Sequence, residues 1–229
     1  MSKMQKIVLF LVEGITDKVA LEGVLSSIVE DREVSFQLTD GDVMTKKGLT
    51  TQNIVKYIGN YVNNYLENSR FKKSDILKII HLVDTDGAFV DDDTIVYKDI
   101  EHIQYFPDRI ETRNVDYIIN RNKEKAGMLN KLISTHKIST IGYSIYFFSS
   151  NLEHVCHNKQ EDLNRKEKMH LAEQFSDEYE DNPEEFLKFI SSKEIAVDGD
   201  YKTSWEFIKE DCNSLNRFCN FHLFFNDEI

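Results

Sequence analysis

The sequence predicts an α/β fold: a mainly parallel central sheet flanked by helices, followed by a helical C-terminal extension. Two apolar runs carry this expectation, residues 6–12 (KIVLFLV) and 76–83 (ILKIIHLV). Both have the length and near-continuous hydrophobicity of strands buried on both faces. Between them the periodicity switches to that of helices, and a strand–helix–strand–helix–strand order implies right-handed crossovers and parallel pairing. The 229 residues suffice for one such domain with a smaller addition. Hydrophobic residues at 41%, charged residues at 30%, nine Gly and two Pro exclude collagen-like, low-complexity and wholly disordered chains.

After the first strand, Glu13-Gly14 interrupts the apolar run. Thr16 is then a suitable cap for a helix over 17–29, where Val19, Leu21, Val24, Leu25 and Ile28 keep helical spacing. Residues 34–38 alternate as a second strand. Residues 40–52, polar and containing Gly41 and Gly48, read as a flexible loop. A helix over 53–66 carries Ile54, Ile58, Tyr61, Val62 and Tyr65. The third strand ends abruptly in Asp84-Thr85-Asp86-Gly87. Beyond it the pattern predicts a strand over 94–97, helices over 115–120 and 123–136, and a buried strand over 143–148 (YSIYFF). Helical patterns over 163–179, 183–190 and 204–215 follow, with Pro183 at a helix start ahead of Glu184 and Glu185. The expected division is an α/β domain over 1–155 and a helical extension over 156–229 packed on it.

Three cysteines (Cys156, Cys212, Cys219) are too few and too unevenly spaced for a disulfide framework, which points to reduced thiols and a cytoplasmic protein. The first apolar run is far short of the roughly 20 residues of a membrane span. Glu13 and Asp17 follow it directly, with no small-residue cleavage site, so neither a signal peptide nor membrane attachment is expected. Net charge is −12, from 40 acidic and 28 basic residues. A passive nucleic-acid coater is normally basic, so that role is disfavoured. An enzyme that meets phosphates through divalent cations is not disfavoured, because clustered carboxylates then hold the positive charge.

The chemistry-bearing signal is a pair of acidic clusters at strand ends: Glu13 with Asp17 after the first strand, and Asp84 with Asp86 after the third. Parallel strands bring their carboxyl ends to one edge, where ligands bind. Three carboxylates gathered there require protonation or a cation. Oxygen ligands without His or Cys favour Mg²⁺ or Mn²⁺. Gly14 and Gly87 would permit sharp turns and close approach of a substrate. Taken singly, each acid also suits an ordinary polar loop or a helix cap, and Asp17 in a first turn would favour the helix dipole.

With Glu after the first strand and Asp-x-Asp after the third, the sequence over roughly residues 5–155 resembles the TOPRIM domain, the metal-binding module of topoisomerases, DnaG-type primases and several nucleases. The form Glu13-Gly14-Ile15-Thr16-Asp17 is most similar to small OLD and RloB-like nucleases, often bacterial antiviral defence components encoded beside an ATPase. Ser149-Ser150-Asn151-Leu152-Glu153 resembles that group's Ser-Asn-Pro-x-x-Glu segment, but lacks the proline and is one residue shorter between Asn and Glu. An N-capped helix start accounts for it equally well. The resemblance implies catalytic roles for Glu13, Asp84 and Asp86. It implies Mg²⁺ (or Mn²⁺) held by these residues with Asp17 and Glu153, metal-assisted phosphodiester cleavage, a nucleic-acid substrate and an ATPase protein partner. No Walker A sequence occurs, so the ATPase would be another protein.

Arg109, Arg113, Arg121, Lys123, Lys125, Lys131 and Lys137 form a net-positive stretch, and Lys46 with Lys47 a smaller one. Lys46, Lys47, Arg109, Arg113, Arg121 and Lys123 are the expected nucleic-acid contacts, against the alternative of an ordinary solvated face. Asp91-Asp92-Asp93 reads as a solvated turn, and the acids of 173–185 as facing water or a basic partner. The histidines and cysteines have no convincing zinc-ligand spacing. Three other functions stay open: a non-catalytic regulatory or interaction module, a ribonuclease of RNA maturation, and a receiver-like domain, whose acid pattern fits poorly. Oligomeric state is not legible.

Overall fold

The computed structural model describes residues 6–29, 32–161 and 163–227. Its centre is a five-stranded sheet of β1 (Ile7–Val12), β2 (Glu33–Leu38), β3 (Ile76–Asp84), β7 (Lys137–Ile138) and β8 (Ile141–Phe148), in the order β2-β1-β3-β8-β7. All pairings are parallel except the short β7–β8 hairpin. The chain is thus mixed α/β with a mainly parallel sheet flanked by helices. A separate three-stranded sheet joins β4 (Ile95–Tyr97), β5 (Gln104–Phe106) and β6 (Arg109–Thr112) in the order β4-β6-β5. Of these only β4 was expected.

Strand alternation divides the apolar residues between two cores. Val8, Phe10 and Val12 of β1, Ile80 and Leu82 of β3, and Tyr146 and Phe148 of β8 face one layer. That layer contains α1 (Ile15–Ile28), α5 (Arg165–Tyr179), α6 (Pro183–Ile190) and α8 (His222–Asp227). Leu9, Leu11, Ile79, Val83, Ile145 and Phe147 face the other, with α2 (Ile54–Asn68), α3 (Val115–Ile133) and Trp205 of α7 (Tyr201–Phe207).

Several local expectations are corrected. Helix α1 is capped by Gly14, not Thr16, because the Gly14 N–H donates to Asp17 Oδ2 at 2.9 Å. Gly14 has φ −137°, and a Cβ there would make only ordinary contact with Thr16, so of these two glycines Gly87 is the one that is needed: its φ is +66° and a Cβ there would lie 2.6 Å from Leu215 Cδ2. The 40–52 loop is pinned by a 3₁₀ turn at Val43–Thr45 with Val43 and Met44 buried. Helix α3 is continuous, where two helices were expected. The 204–215 helix is instead α7, which starts earlier under an Asp200 cap, followed by turns through Asp211 at φ +46°. The division between 155 and 156 falls inside α4 (Leu152–His157).

The C-terminal segment also completes the sheet. Beyond β7, the rim of β8 has no neighbouring strand among the described residues, and the segment supplies side chains, turns and an isolated Phe148–Cys219 bridge instead. Phe147 N–H donates to Asn220 Oδ1 at 2.8 Å, and Ser149 N–H to the Phe218 carbonyl at 2.8 Å. The Tyr201 hydroxyl donates to the Ile145 carbonyl at 2.9 Å. Asn220, fully buried, also donates to Ser204 Oγ at 3.0 Å. Among the described residues no helix is long and apolar enough to cross a membrane.

Asn220→Ala leaves the Phe147 N–H and Ser204 Oγ without these partners. It is expected to lower unfolding free energy by about 1–3 kcal/mol, read from urea denaturation midpoints at constant slope.

Candidate active site: a carboxylate cluster with a buried lysine

Parallel pairing sets the ends of β1 and β3 side by side, which places Glu13 next to Asp84. Glu13 Oε1 accepts from Asp84 N–H at 3.4 Å. Two residues on, the chain turns sharply through Asp86 and Gly87, both left-handed (φ +48° and +66°). Across the sheet the β8 loop turns through Ser150, also left-handed at φ +60°. The two turns are latched together. Asp86 N–H donates to the Ser150 carbonyl at 3.0 Å, Ser150 N–H to Thr85 Oγ1 at 2.9 Å, and Thr85 N–H to the Phe148 carbonyl at 3.2 Å. Asn151 then caps α4, accepting from His154 N–H at 2.8 Å, and buried Glu153 occupies its first turn.

Two residues outside the predicted set complete the cluster. Past β2 the chain folds back over β1, with Thr39 N–H donating to the Val12 carbonyl and Gly41 N–H to the Glu13 carbonyl. This brings in Asp42. Lys125, on α3, has no exposed side-chain surface; its ammonium lies 2.8 Å from Asp42 Oδ2 and 2.6 Å from Asp86 Oδ2. Its helix grips the Asp86–Gly87 turn at two more points: Arg121 Nη2 donates to the Asp86 carbonyl at 3.1 Å, and Asn122 Nδ2 to the Gly87 carbonyl at 3.0 Å. On the opposite side Lys168 lies 3.4 Å from Glu153 Oε1.

Six carboxylates (Glu13, Asp17, Asp42, Asp84, Asp86, Glu153) therefore share this edge with two lysines. Burial raises the Glu13 carboxyl well above the usual range, and Asp42 adds to the rise. Asp84 is likewise held high, by burial and then by Glu13 and Asp17. Asp17 is pushed up to about 6 by burial and by Glu153, against the lowering effect of its hydrogen bond from Gly14. Burial alone would lower the Lys125 ammonium, but Asp86 and Asp42 more than offset it and hold the charge on.

The oxygen-only donors and surplus negative charge suit a hard divalent cation. A cavity of about 10 Å³, on the scale of a single water, lies among Glu13, Asp17 and Asp84. Among the described residues, however, no three His, Cys, Asp or Glu side chains are gathered closely enough to hold a metal ion. The Asp86 carboxylate is turned to Lys125 and the Asp17 carboxylate to Gly14. The site thus fits the ion in donor chemistry and charge without forming a closed cage.

The predicted nucleic-acid contacts are mostly engaged within the protein, Arg121 at the site itself. Arg109 pairs with Glu111 at 2.8 Å and Asp108 at 2.9 Å, Arg113 with Asp99 at 2.7 Å, and Lys123 with Asp92 at 2.5 Å. Arg121 serves the Asp86 turn and the Tyr105 hydroxyl. Lys46 donates to the Thr39 carbonyl at 2.6 Å and the Tyr61 hydroxyl at 2.9 Å, while Lys47 is exposed. Asp91, Asp92 and Asp93 are exposed beside a 3₁₀ turn.

Lys125→Met strips the cation from two carboxylates and is expected to cost about 3–5 kcal/mol at pH 7.5, measured by chemical denaturation in chelator. For Asp17, the folded carboxyl binds its proton more tightly than the unfolded one. Its contribution to stability is therefore greatest below about pH 4 and declines as pH rises towards 6. Asp17→Asn, which keeps an acceptor for Gly14, should be about 1–3 kcal/mol more stable than wild type above pH 6 in chelator, with the difference vanishing near pH 4 in melting curves.

Compared with known proteins, the chain matches no family model, no curated protein and no solved structure.

Proposed function

We propose that the protein is a TOPRIM-type nuclease that cleaves phosphodiester bonds of DNA or RNA with Mg²⁺ or Mn²⁺. The observation that carries this reading is the meeting of Glu13 and Asp84, with Asp86, Asp17 and Glu153 nearby, at the carboxyl edge of a parallel sheet. Glu13, Asp84 and Asp86 are the residues to hold the ion, with Asp17 and Glu153 at its margin. When bound, the ion supplies activation of water and neutralisation of charge on the leaving oxygen.

The chain's own groups have separate tasks in this reading. Glu13 Oε1 is engaged by the Asp84 N–H, and the proton affinity that burial raises suits its carboxyl to hold and release a proton on Oε2. Lys125 offsets Asp42 and Asp86, keeping the turn from opening under its own charge. Lys168 balances Glu153 where a phosphate would arrive. A role in antiviral defence beside an ATPase belongs to the same proposal, through the resemblance of the Glu13–Asp17 segment.

A second reading, a non-catalytic interaction module, is favoured by the Asp86–Lys125 contact and the absence of a closed cage among the described residues. Cleavage of plasmid, single-stranded DNA and RNA with Mg²⁺ or Mn²⁺ decides between them. Glu13→Gln and Asp84→Asn should each reduce the rate about 100-fold or more; unchanged activity in both removes these residues from the mechanism. An inert wild type that holds a partner equally well after loss of Glu13 supports the second reading.

A further inference from the structure

Beside the carboxylates lies a cleft of about 930 Å³ between β5 of the small sheet and the α4–α5 region. This is within the size range of clefts that bury a small organic ligand. Its lining includes Tyr105 and Phe106 on one side and Asn151, Glu153, Gln160 and Lys168 on the other. Asn151 and Glu153 belong to the β8 loop and α4, so the cleft adjoins the cluster directly. Its aromatic wall is fastened to the same turn: Arg121 donates to the Tyr105 hydroxyl at 3.0 Å and to the Asp86 carbonyl at 3.1 Å. Phe106 is stiffened by the Arg109 guanidinium, 4.2 Å from the ring centroid.

We infer that this cleft binds unpaired nucleotides by base stacking, making the substrate of the proposed nuclease single-stranded nucleic acid or an extruded base rather than continuous duplex. The inference rests on the nuclease reading for its link to cleavage, but its argument is separate. A duplex is held chiefly through phosphates by free cationic side chains. Here Arg109, Arg113 and Lys123 are paired with Glu111 and Asp108, Asp99, and Asp92, and the chain carries net charge −12. Stacking on aromatic rings adds binding energy base by base, beside whatever cations meet the phosphates, and tolerates any base sequence. Lys168 is the cation at the cleft, shared with Glu153, while Glu161 at its edge is paired with Lys159 at 3.4 Å. Phe106 and Glu153 line the same cleft, so a base seated against Phe106 occupies the cleft that the carboxylate cluster borders.

The test uses the full chain in chelator, with fluorescence anisotropy of labelled dT20, U20 and a 20-base-pair duplex. Single strands are expected to bind at least about tenfold more tightly than the duplex, with a log–log salt slope of magnitude below about 2. Phe106→Ala should weaken single-strand binding about tenfold, and Phe106→Trp should retain it. Photocrosslinking of 5-iodouridine oligonucleotides to wild type should label the peptide containing Tyr105 and Phe106, which keeps the test valid if the alanine variant fails to fold. Equal or tighter duplex binding, wild-type affinity in a folded Phe106→Ala, or crosslinks only elsewhere each overturn the inference. Hydrolysis of bis(p-nitrophenyl) phosphate with Mn²⁺, compared between wild type and Glu13→Gln, tests the nuclease reading alone. Its failure with single-strand binding intact would leave the cleft standing without that chemistry.

Discussion

The architecture of the site depends on one buried cation. Lys125 is removed from water between Asp42 and Asp86, a placement that costs several kcal/mol unless its charge is met. Both partners meet it, and each belongs to a different loop. Asp42 comes from the connection after β2 and Asp86 from the turn after β3, so the ammonium ties two strand ends to the middle of α3. Arg121 adds a charge-assisted hydrogen bond and Asn122 a neutral one to the same turn. The left-handed backbone at Asp86, unfavourable for a residue with a Cβ, persists because these contacts over-determine it.

The charge at this edge is unevenly balanced. Asp42 and Asp86 have an ammonium in direct contact, whereas Glu13 and Asp84 lie near each other and Asp17 with no cation of the described residues as close. Burial first, and that imbalance after it, raises their proton affinities. The half beside Lys125 is therefore rigid and internally compensated, and the half around Glu13 carries the unmet demand for positive charge. A divalent ion or a proton is the chemical means of meeting it.

Much of the core of this arrangement was legible before any coordinates. Glu13, Asp84 and Asp86 stand out because they terminate apolar runs, and a parallel sheet brings such ends together. Asp42 was obscured by a polar loop with no periodicity, its position set by backbone contacts to Val12 and Glu13 that leave no trace in composition. Lys125 was visible only as one member of a net-positive stretch, read either as a nucleic-acid track or as a solvated helix face, and not as a buried ion-pair partner. The missed signal is the stripe Ile118, Asn122, Lys125, Leu129 and Leu132, which is entirely buried: polar residues at apolar positions of an amphipathic helix mark a buried polar task. The strands β5 and β6 escaped notice because each has only three or four residues. The break expected within α3 reflected the polar run Asn120–Glu124, whose members are good enough helix formers once three of them have partners.

The finish of the β8 rim by Asn220, Phe218 and Tyr201 carries a consequence for biogenesis. A nascent or clipped polypeptide without residues 213–220 would present bare amide and carbonyl groups along that rim, an adhesive border open to pairing with other chains. The Ser149–Ser150 corner, supported from the Asn213, Ser214 and Phe218 carbonyls, would be unsupported at the same time. Protection from misassociation and maturation of the acidic pocket are thus coupled to the arrival of one late stretch of chain.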